Sequence, residues 1–431
     1  MKLPLAPIAL AALCALCPHA ASAAMAPTMT QVAGVSVITQ PDAVAPLVDI
    51  TLVVRAGLDR QSMAQSGLAA LAAETVLRTP VDGTAAEDAI AGSGGAFTFA
   101  VDPSDVRFSI QALPSDANAV LDIARRALAQ PRFDALTVGE ARNALFARIA
   151  DDQQRALQVG LDMLSGTLAS SANQGLPPNG IPGSLAQFDP AQVAAFYHTY
   201  YRRGGATVSA VGPLDELKSD ALATLAQSLP DGATHAVAVH VPKLDGTSRQ
   251  LVAHRNVSAP WLIAQYPAPA IGSKDFGAML VLAAFMQRTL ADIAQVPGVV
   301  NPTLASNAVG AIYQYDRAQP SLTLYVNGGI GDPNRTFSTV LSVANVLAST
   351  KLQGSIDEFK AMAKGDFVNG ASSVQSRAWL AVVFAQSGAS PDYVGRSLAA
   401  IDATTAADLQ RVAKSYLGNP AIALVLPRAR G

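Results

Sequence analysis

Residues 189–213 read D-P-A-Q-V-A-A-F-Y-H-T-Y-Y-R-R-G-G-A-T-V-S-A-V-G-P. Residues 402–427 read D-A-T-T-A-A-D-L-Q-R-V-A-K-S-Y-L-G-N-P-A-I-A-L-V-L-P. Both have apolar or aromatic residues at helical spacing: Val193, Phe196 and Tyr200 in the first, Leu409, Val412 and Tyr416 in the second. Each pattern stops at a turn and resumes as an apolar run of strand character. Tyr200 and Tyr416 stand 216 residues apart. Glu140, in V-G-E-A-R-N-A-L-F, and Glu358, in I-D-E-F-K-A-M-A-K, stand 218 apart. A third pair of strand-turn-helix segments begins near Val48 and Trp261. One such match could be convergence of amphipathic helices. Three in the same order at nearly constant offset describe a chain of two similar halves.

Each half reads as an apolar strand, a turn, a helix, further strands, a run of helices and a closing strand. In the first half, 50–55 is a strand and 67–77 a helix. Residues 96–101 and 106–113 form a hairpin across Pro103-Ser104-Asp105, and helices follow near 115–129 and 135–170. Strands grouped apart from helices argue for α+β layers and against a doubly wound parallel sheet. The boundary falls near 228–248, where Pro230-Asp231-Gly232 and Leu244-Asp245-Gly246 punctuate the chain. The expected units are 1–23, 24–235 and 236–431.

The first of these reads as a secretory signal: Lys2, an apolar run from Leu3 to Cys17, then Ala21-Ser22-Ala23 as a cleavage site. Cleavage near Ala23 predicts a periplasmic protein, with secretion as the alternative. Removing 23 residues from 431 leaves 408, enough for two domains. Both cysteines, Cys14 and Cys17, lie in the signal, so the mature chain has no thiol for a disulfide, a nucleophile or a metal. An apolar fraction of 50% supports packed cores, and no later run is long enough to be an integral span. A net charge of −2 with scattered signs gives no footprint for nucleic acid.

Residues 52–77, L-V-V-R-A-G-L-D-R-Q-S-M-A-Q-S-G-L-A-A-L-A-A-E-T-V-L, resemble the opening of the pitrilysin/insulinase metallopeptidases. There a strand ending in A-G leads through a polar loop and G-L-A into an H-x-x-E-H helix. The similarity continues in Gly94-Gly95 with A-F-T-F-A-V-D-P-S-D-V-R-F, in Ile181-Pro182-Gly183-Ser184, and in the segment from Phe196 to Asp215. The resemblance implies two tandem α+β halves of mitochondrial-processing-peptidase type in a clam-shell around extended peptide. It also implies zinc: two His four residues apart on one helical face, a Glu beside the second as base, and a distal acidic ligand. The aligned positions here hold Ala70, Ala73 and Glu74, with the distal ligand near Ala147. Alanine is neither ligand nor base, and one Glu cannot supply the three protein ligands of a catalytic zinc. The segment resembling the family's Arg/Tyr substrate clamp puts Ala294 and Asn301 at those places, with Arg288 and Tyr313 as alternatives.

No second site suggests itself. His198 sits in an aromatic helix, His235 and His240 lie in the boundary region, and His254 stands apart. Gly92-Ser93-Gly94-Gly95 lacks the Lys-Ser/Thr of a phosphate loop and leads into a strand, so it is a turn. No G-x-S-x-G elbow is present. Asp151-Asp152, Asp215-Glu216 and Arg202-Arg203 flank helices, as dipole-related charges do. We expect no catalytic or metal-binding residue on this chain, and the substrate-binding residues stay unassigned. The expected role is a non-catalytic subunit that pairs with a zinc-bearing pitrilysin-family subunit, which would carry the cofactor, around an extended peptide. The alternatives are a stand-alone peptide-binding or scaffold protein of the cell envelope and an active hydrolase with an unorthodox site.

Overall fold

The structure, a computed structural model, describes residues 26–32, 34–168, 175–234, 250–294, 309–315, 320–327 and 356–428, with Ser338 and Ser342. The signal, the 235/236 boundary, His235, His240 and Asn301 lie outside the described residues.

The first half contributes β1 (Thr28–Val32), β2 (Val35–Pro41), β3 (Val48–Val54), the short ribbon of β4 (Pro80–Val81) with β5 (Thr84–Ala85), β6 (Ala96–Val101), β7 (Val106–Ala112) and β8 (Thr207–Gly212). The second contributes β9 (Gln250–Arg255), β10 (Trp261–Pro267), β11 (Val309–Gln314), β12 (Ser321–Asn327) and β13 (Ala421–Pro427). One sheet has the order β1-β2-β8-β3-β7-β6 and the other β11-β12-β10-β13-β9. Set in opposite directions, β2-β8-β3-β7-β6 and β9-β13-β10-β12-β11 are the same topology. The closing strand pairs parallel with the first strand of the shared topology, β8 with β2 and β13 with β9, and every other pairing of these strands is antiparallel. The repeat is therefore structural. Its register is fixed by the closing helices, Pro190–Tyr200 and Ala406–Tyr416, each opened by a capping box. Asp189 with Gln192 caps the first; Thr405 with Asp408, and not Asp402, caps the second.

All seven residues of β3 are buried, which requires cover on both faces. Ile50, Leu52 and Val54 join the first-half core under the helix Leu68–Arg78. The opposite face is covered from the second half: Val53 joins the second-half core, and Val374 and Ala378, on the helix Val374–Gln386, pack beside it against Val211 of β8 and against Ala45 and Leu47 before β3. The exchange is reciprocal. The helix Ala156–Leu168 places Ala156, Val159 and Leu164 on Ile263, Ala421, Ala423 and Val425 of the second sheet. Approach is close there, since a Cβ on Gly160 would lie 2.5 Å from Ile263 Cδ1. The expected helix over 135–170 is thus two, Ala135–Asp152 and Ala156–Leu168, broken so that the second piece can cross to the other half.

Polar ties reinforce the second-half crossing. Arg377 meets Asp42 at 2.8 Å, and Tyr393 donates to Gln40 Oε1 at 2.9 Å. Gln375 Nε2 donates to Ser109 Oγ, which in turn donates to the buried Asp49 carboxylate at 2.6 Å. No helix among the described residues is long and apolar enough to cross a membrane.

Candidate functional site

The loop after β3 is shaped by close packing. Gly57 has no room for a side chain, because a Cβ there would come 2.2 Å from the Asp105 backbone nitrogen. Arg55 meets Asp105 at 3.1 Å and ties the strand end to the β6–β7 turn. Gly67 sits at φ +96°, accessible to glycine at little cost, and opens the helix Leu68–Arg78. That helix is buried from Leu68 to Leu77, so Ala70, Ala73 and Glu74 are wholly enclosed.

Glu74 carries a charge with no solvent exposure, and two guanidiniums hold it. Arg78 Nε donates to Oε1 at 3.0 Å, and Arg148 Nη2 lies 2.8 Å from Oε2. Arg78 continues to Glu87 at 2.5 Å. A lone buried carboxylate would cost several kcal/mol of desolvation, which such partners offset. The Arg148 guanidinium also stacks 4.7 Å from the centroid of the Phe99 ring on β6. Ala147, the expected distal position, is exposed on the far side of its helix. Arg148 is the residue that reaches across, a rotation of about 100° for one residue of α-helix.

These side chains do not fit zinc. Two positions hold methyl groups, and the one carboxylate is neutralised by cations that would repel a metal ion. Among the described residues no three His, Cys, Asp or Glu side chains converge as a metal would need.

A cavity of about 200 Å³ lies where the helix Ala156–Leu168, the β6–β7 turn and the second sheet meet. Its lining mixes apolar side chains with Asp102, Asp162 and several amides and hydroxyls. Gln265, only 5% exposed, gives both amide hydrogens to Ser321 Oγ and Thr323 Oγ1, leaving Oε1 enclosed without a donor. Asp102 Oδ2 likewise has no donor; burial pushes its carboxyl up, against the opposing charge of Arg107. Asp162 is pushed up to about 6 by burial, opposed by a 2.8 Å bond from Gln158 Nε2 and assisted by the charge of Asp152. A second cavity of about 360 Å³ lies against β6, with Phe99, Arg107 and Ser109 on one side and Gln375, Trp379 and Tyr315 on the other. Arg107 crosses it to lie 4.1 Å over the Trp379 ring.

The remaining sequence candidates are structural where described. His198 is exposed, edge-on to Phe133 and Tyr197. His254 is an exposed residue of β9. Gly92–Gly95 is a turn between a helix and β6, with Gly94 at φ +73°. Asp151 pairs with Arg155, and Asp152 accepts from Asn179 at 2.7 Å. Arg202 donates to the Asp231 carbonyl and Arg203 pairs with the Asp231 carboxylate. Ala294 ends the helix Phe276–Ala294. Of the clamp alternatives, Arg288 pairs with Asp292 on the surface, while the Tyr313 hydroxyl donates to the Pro269 carbonyl within a cluster of Phe276 and Tyr315. The two cavities were not legible in the sequence, because their linings converge from both halves.

No protein-family model and no curated protein sequence matches the chain. Solved structures do match it. A peptidase M16 inactive domain from Pseudomonas fluorescens is 16% identical with a TM-score of 0.78, over 94% of this chain and 98% of that one. A protease from Helicobacter pylori is 17% identical with a TM-score of 0.77, over 93% and 99%. A chain of Complex III2 from Candida albicans is 14% identical with a TM-score of 0.70, over 92% and 95%. The fold is thus that of M16-type peptidase structures, including one named inactive, across both halves.

Proposed function

We propose that this chain is an exported, non-catalytic protein of the pitrilysin type that holds extended peptide and pairs with a zinc-bearing relative to complete a periplasmic peptide chamber. The observation that carries the reading is the Arg78–Glu74–Arg148 cluster standing where the resemblance puts zinc ligands, inside a framework complete in both halves. Random decay would leave an unpaired buried charge; here each carboxylate oxygen faces a guanidinium, Oε1 hydrogen-bonded by Arg78 and Oε2 in an ion pair with Arg148 that lacks hydrogen-bond alignment. Two features suit peptide. Among the described residues β6 ends its sheet, so one side of its backbone has no strand beside it and could take an added one. The undonated oxygens of Asp102 and Gln265 in the first cavity suit the guanidinium or ammonium of an Arg or Lys side chain.

Affinity capture of the tagged chain from its native periplasm, with zinc measured on the eluate, tests the pairing. The expected result is a homologous chain bearing H-x-x-E-H and about one zinc per pair. Recovery of the chain alone, without zinc, would sink this version. Capture of an envelope assembly with no such homologue would favour the scaffold reading, which the fold's presence in Complex III2 keeps in view.

A further inference from the structure

The erased centre still presents a cation at its surface. Arg148 has 37% of its side chain exposed while the carboxylate it pairs with has none, so the pair is half sealed and half open. Two contacts lock the guanidinium: Glu74 Oε2 on one edge and the Phe99 ring on one face. A guanidinium has five N–H donors in a rigid fork, and Glu74 meets only Nη2. Phe99 belongs to β6, which among the described residues is the last strand of its sheet and pairs with β7 alone. A strand added there would run about 4.8 Å from the β6 backbone, beside Phe99 and the group stacked on it.

We propose that Arg148 is the peptide-anchoring residue of this chain, donating N–H to a main-chain carbonyl of an extended peptide laid along β6. The inference rests on the peptide-holding reading above and names the residue that performs it. The chemistry accounts for holding without cutting. A fixed guanidinium polarises a carbonyl weakly, Ala73 at the base position has no proton acceptor, and the neighbouring Glu87 is engaged by Arg78. Glu74 cannot serve instead, since it is enclosed and already pairs with two cations.

The probe is a fluorescein-labelled dodecapeptide of alternating Thr and Arg, titrated by anisotropy with full-length mature protein. Arg148→Met should weaken binding roughly tenfold or more, the scale of a lost charge-assisted hydrogen bond. Arg148→Lys should recover part of it. Arg148→Met leaves Glu74 underpaired, so Glu74→Gln/Arg148→Met, with no buried charge at that site, serves as the folded control and should bind as weakly. Thioamide replacement of one carbonyl at a time in the peptide should show a position that matters to the wild type and is silent in Arg148→Met. Equal binding by wild type and a folded Arg148 variant, or no such position, overturns the anchor while leaving peptide holding intact. No binding by the wild type overturns both.

Discussion

Glu74 and Asp162 are both carboxylates in apolar surroundings, and their partners give them opposite consequences. Glu74 is held by two guanidiniums, so Glu74→Ala leaves Arg78 with Glu87 alone and Arg148 without its carboxylate; both cations are partly exposed, so the cost should be about 1–3 kcal/mol, below that of stranding a fully buried charge. Urea unfolding followed by circular dichroism measures it; a loss near zero would show the cluster to be a loosely solvated surface pair. Asp162 has only Gln158 as donor, and its folded carboxyl titrates near 6 against an ordinary 3.8. An acid with its folded value raised binds more protons folded than unfolded between those values. Its contribution therefore falls as pH rises from about 4 to 6 and remains a penalty above that. Asp162→Asn should raise the melting temperature at pH 7 relative to wild type and reduce the pH slope. It should not abolish the slope, since Asp59, also pushed to about 6, titrates in the same direction. A variant parallel to wild type across pH 4–7 would contradict this. Ala70, Ala73 and Glu74 were legible together in sequence because one helix carries them. Arg148 was not, because it arrives from another helix and a one-residue slip in alignment turns a side chain from that interface to solvent.

At the scale of elements, sequence periodicity says that a face is apolar and stays silent about what covers it. The β6–β7 hairpin and the repeated helix-strand closing unit were readable on that basis. The exchange of helices was not: Ala156–Leu168 looked like a continuation of the helix before it, with only Gln153, Gln154 and Arg155 marking the break. Its destination lies about a hundred residues or more away, in strands whose alternation fits any apolar partner: Leu424 and Leu426 face one core, Ala421, Ala423 and Val425 the other. The exchange has a specific signature. Leu164, wholly buried, belongs by sequence to the first half and packs in the cluster on the second sheet. Leu164→Ala should cost about 2–5 kcal/mol, as large-to-small core substitutions do. The lost hydrogen-exchange protection should appear in β10 and β13. Loss confined to β2, β3 and β8 would mean that the crossing helix does not support the other sheet.

For the whole molecule, reciprocal crossing means that neither half finishes its own sheet. Without residues 236–431 the first sheet would expose Val211 and Val53, and would strand the buried Asp49 beside Ser109 without the Gln375 contact. Without 24–235 the second would expose Ile263, Ala423 and Val425. Each fragment would present an apolar strip to water, at roughly 25 cal/mol for every Å² left uncovered. The halves cut at 235/236 should therefore be insoluble or molten when expressed singly. Expressed together, they should recover a complex with near-wild-type circular dichroism. The intact chain should unfold in one transition, with coincident near- and far-ultraviolet signals. A sharp, independent melt from either fragment would show that its sheet is complete without the other's helix. The same closure constrains how the proposed peptide would enter. An opening that separated the two halves would have to withdraw both helices and break the Arg377–Asp42, Gln375–Ser109 and Tyr393–Gln40 contacts at once. The β6 margin is a place where access could be gained with those contacts kept, since Trp379 and Arg107 meet there across a cavity. Trp379→Ala should accordingly speed peptide association in stopped-flow anisotropy while lowering the melting temperature only modestly. An unchanged association rate would place the entry elsewhere.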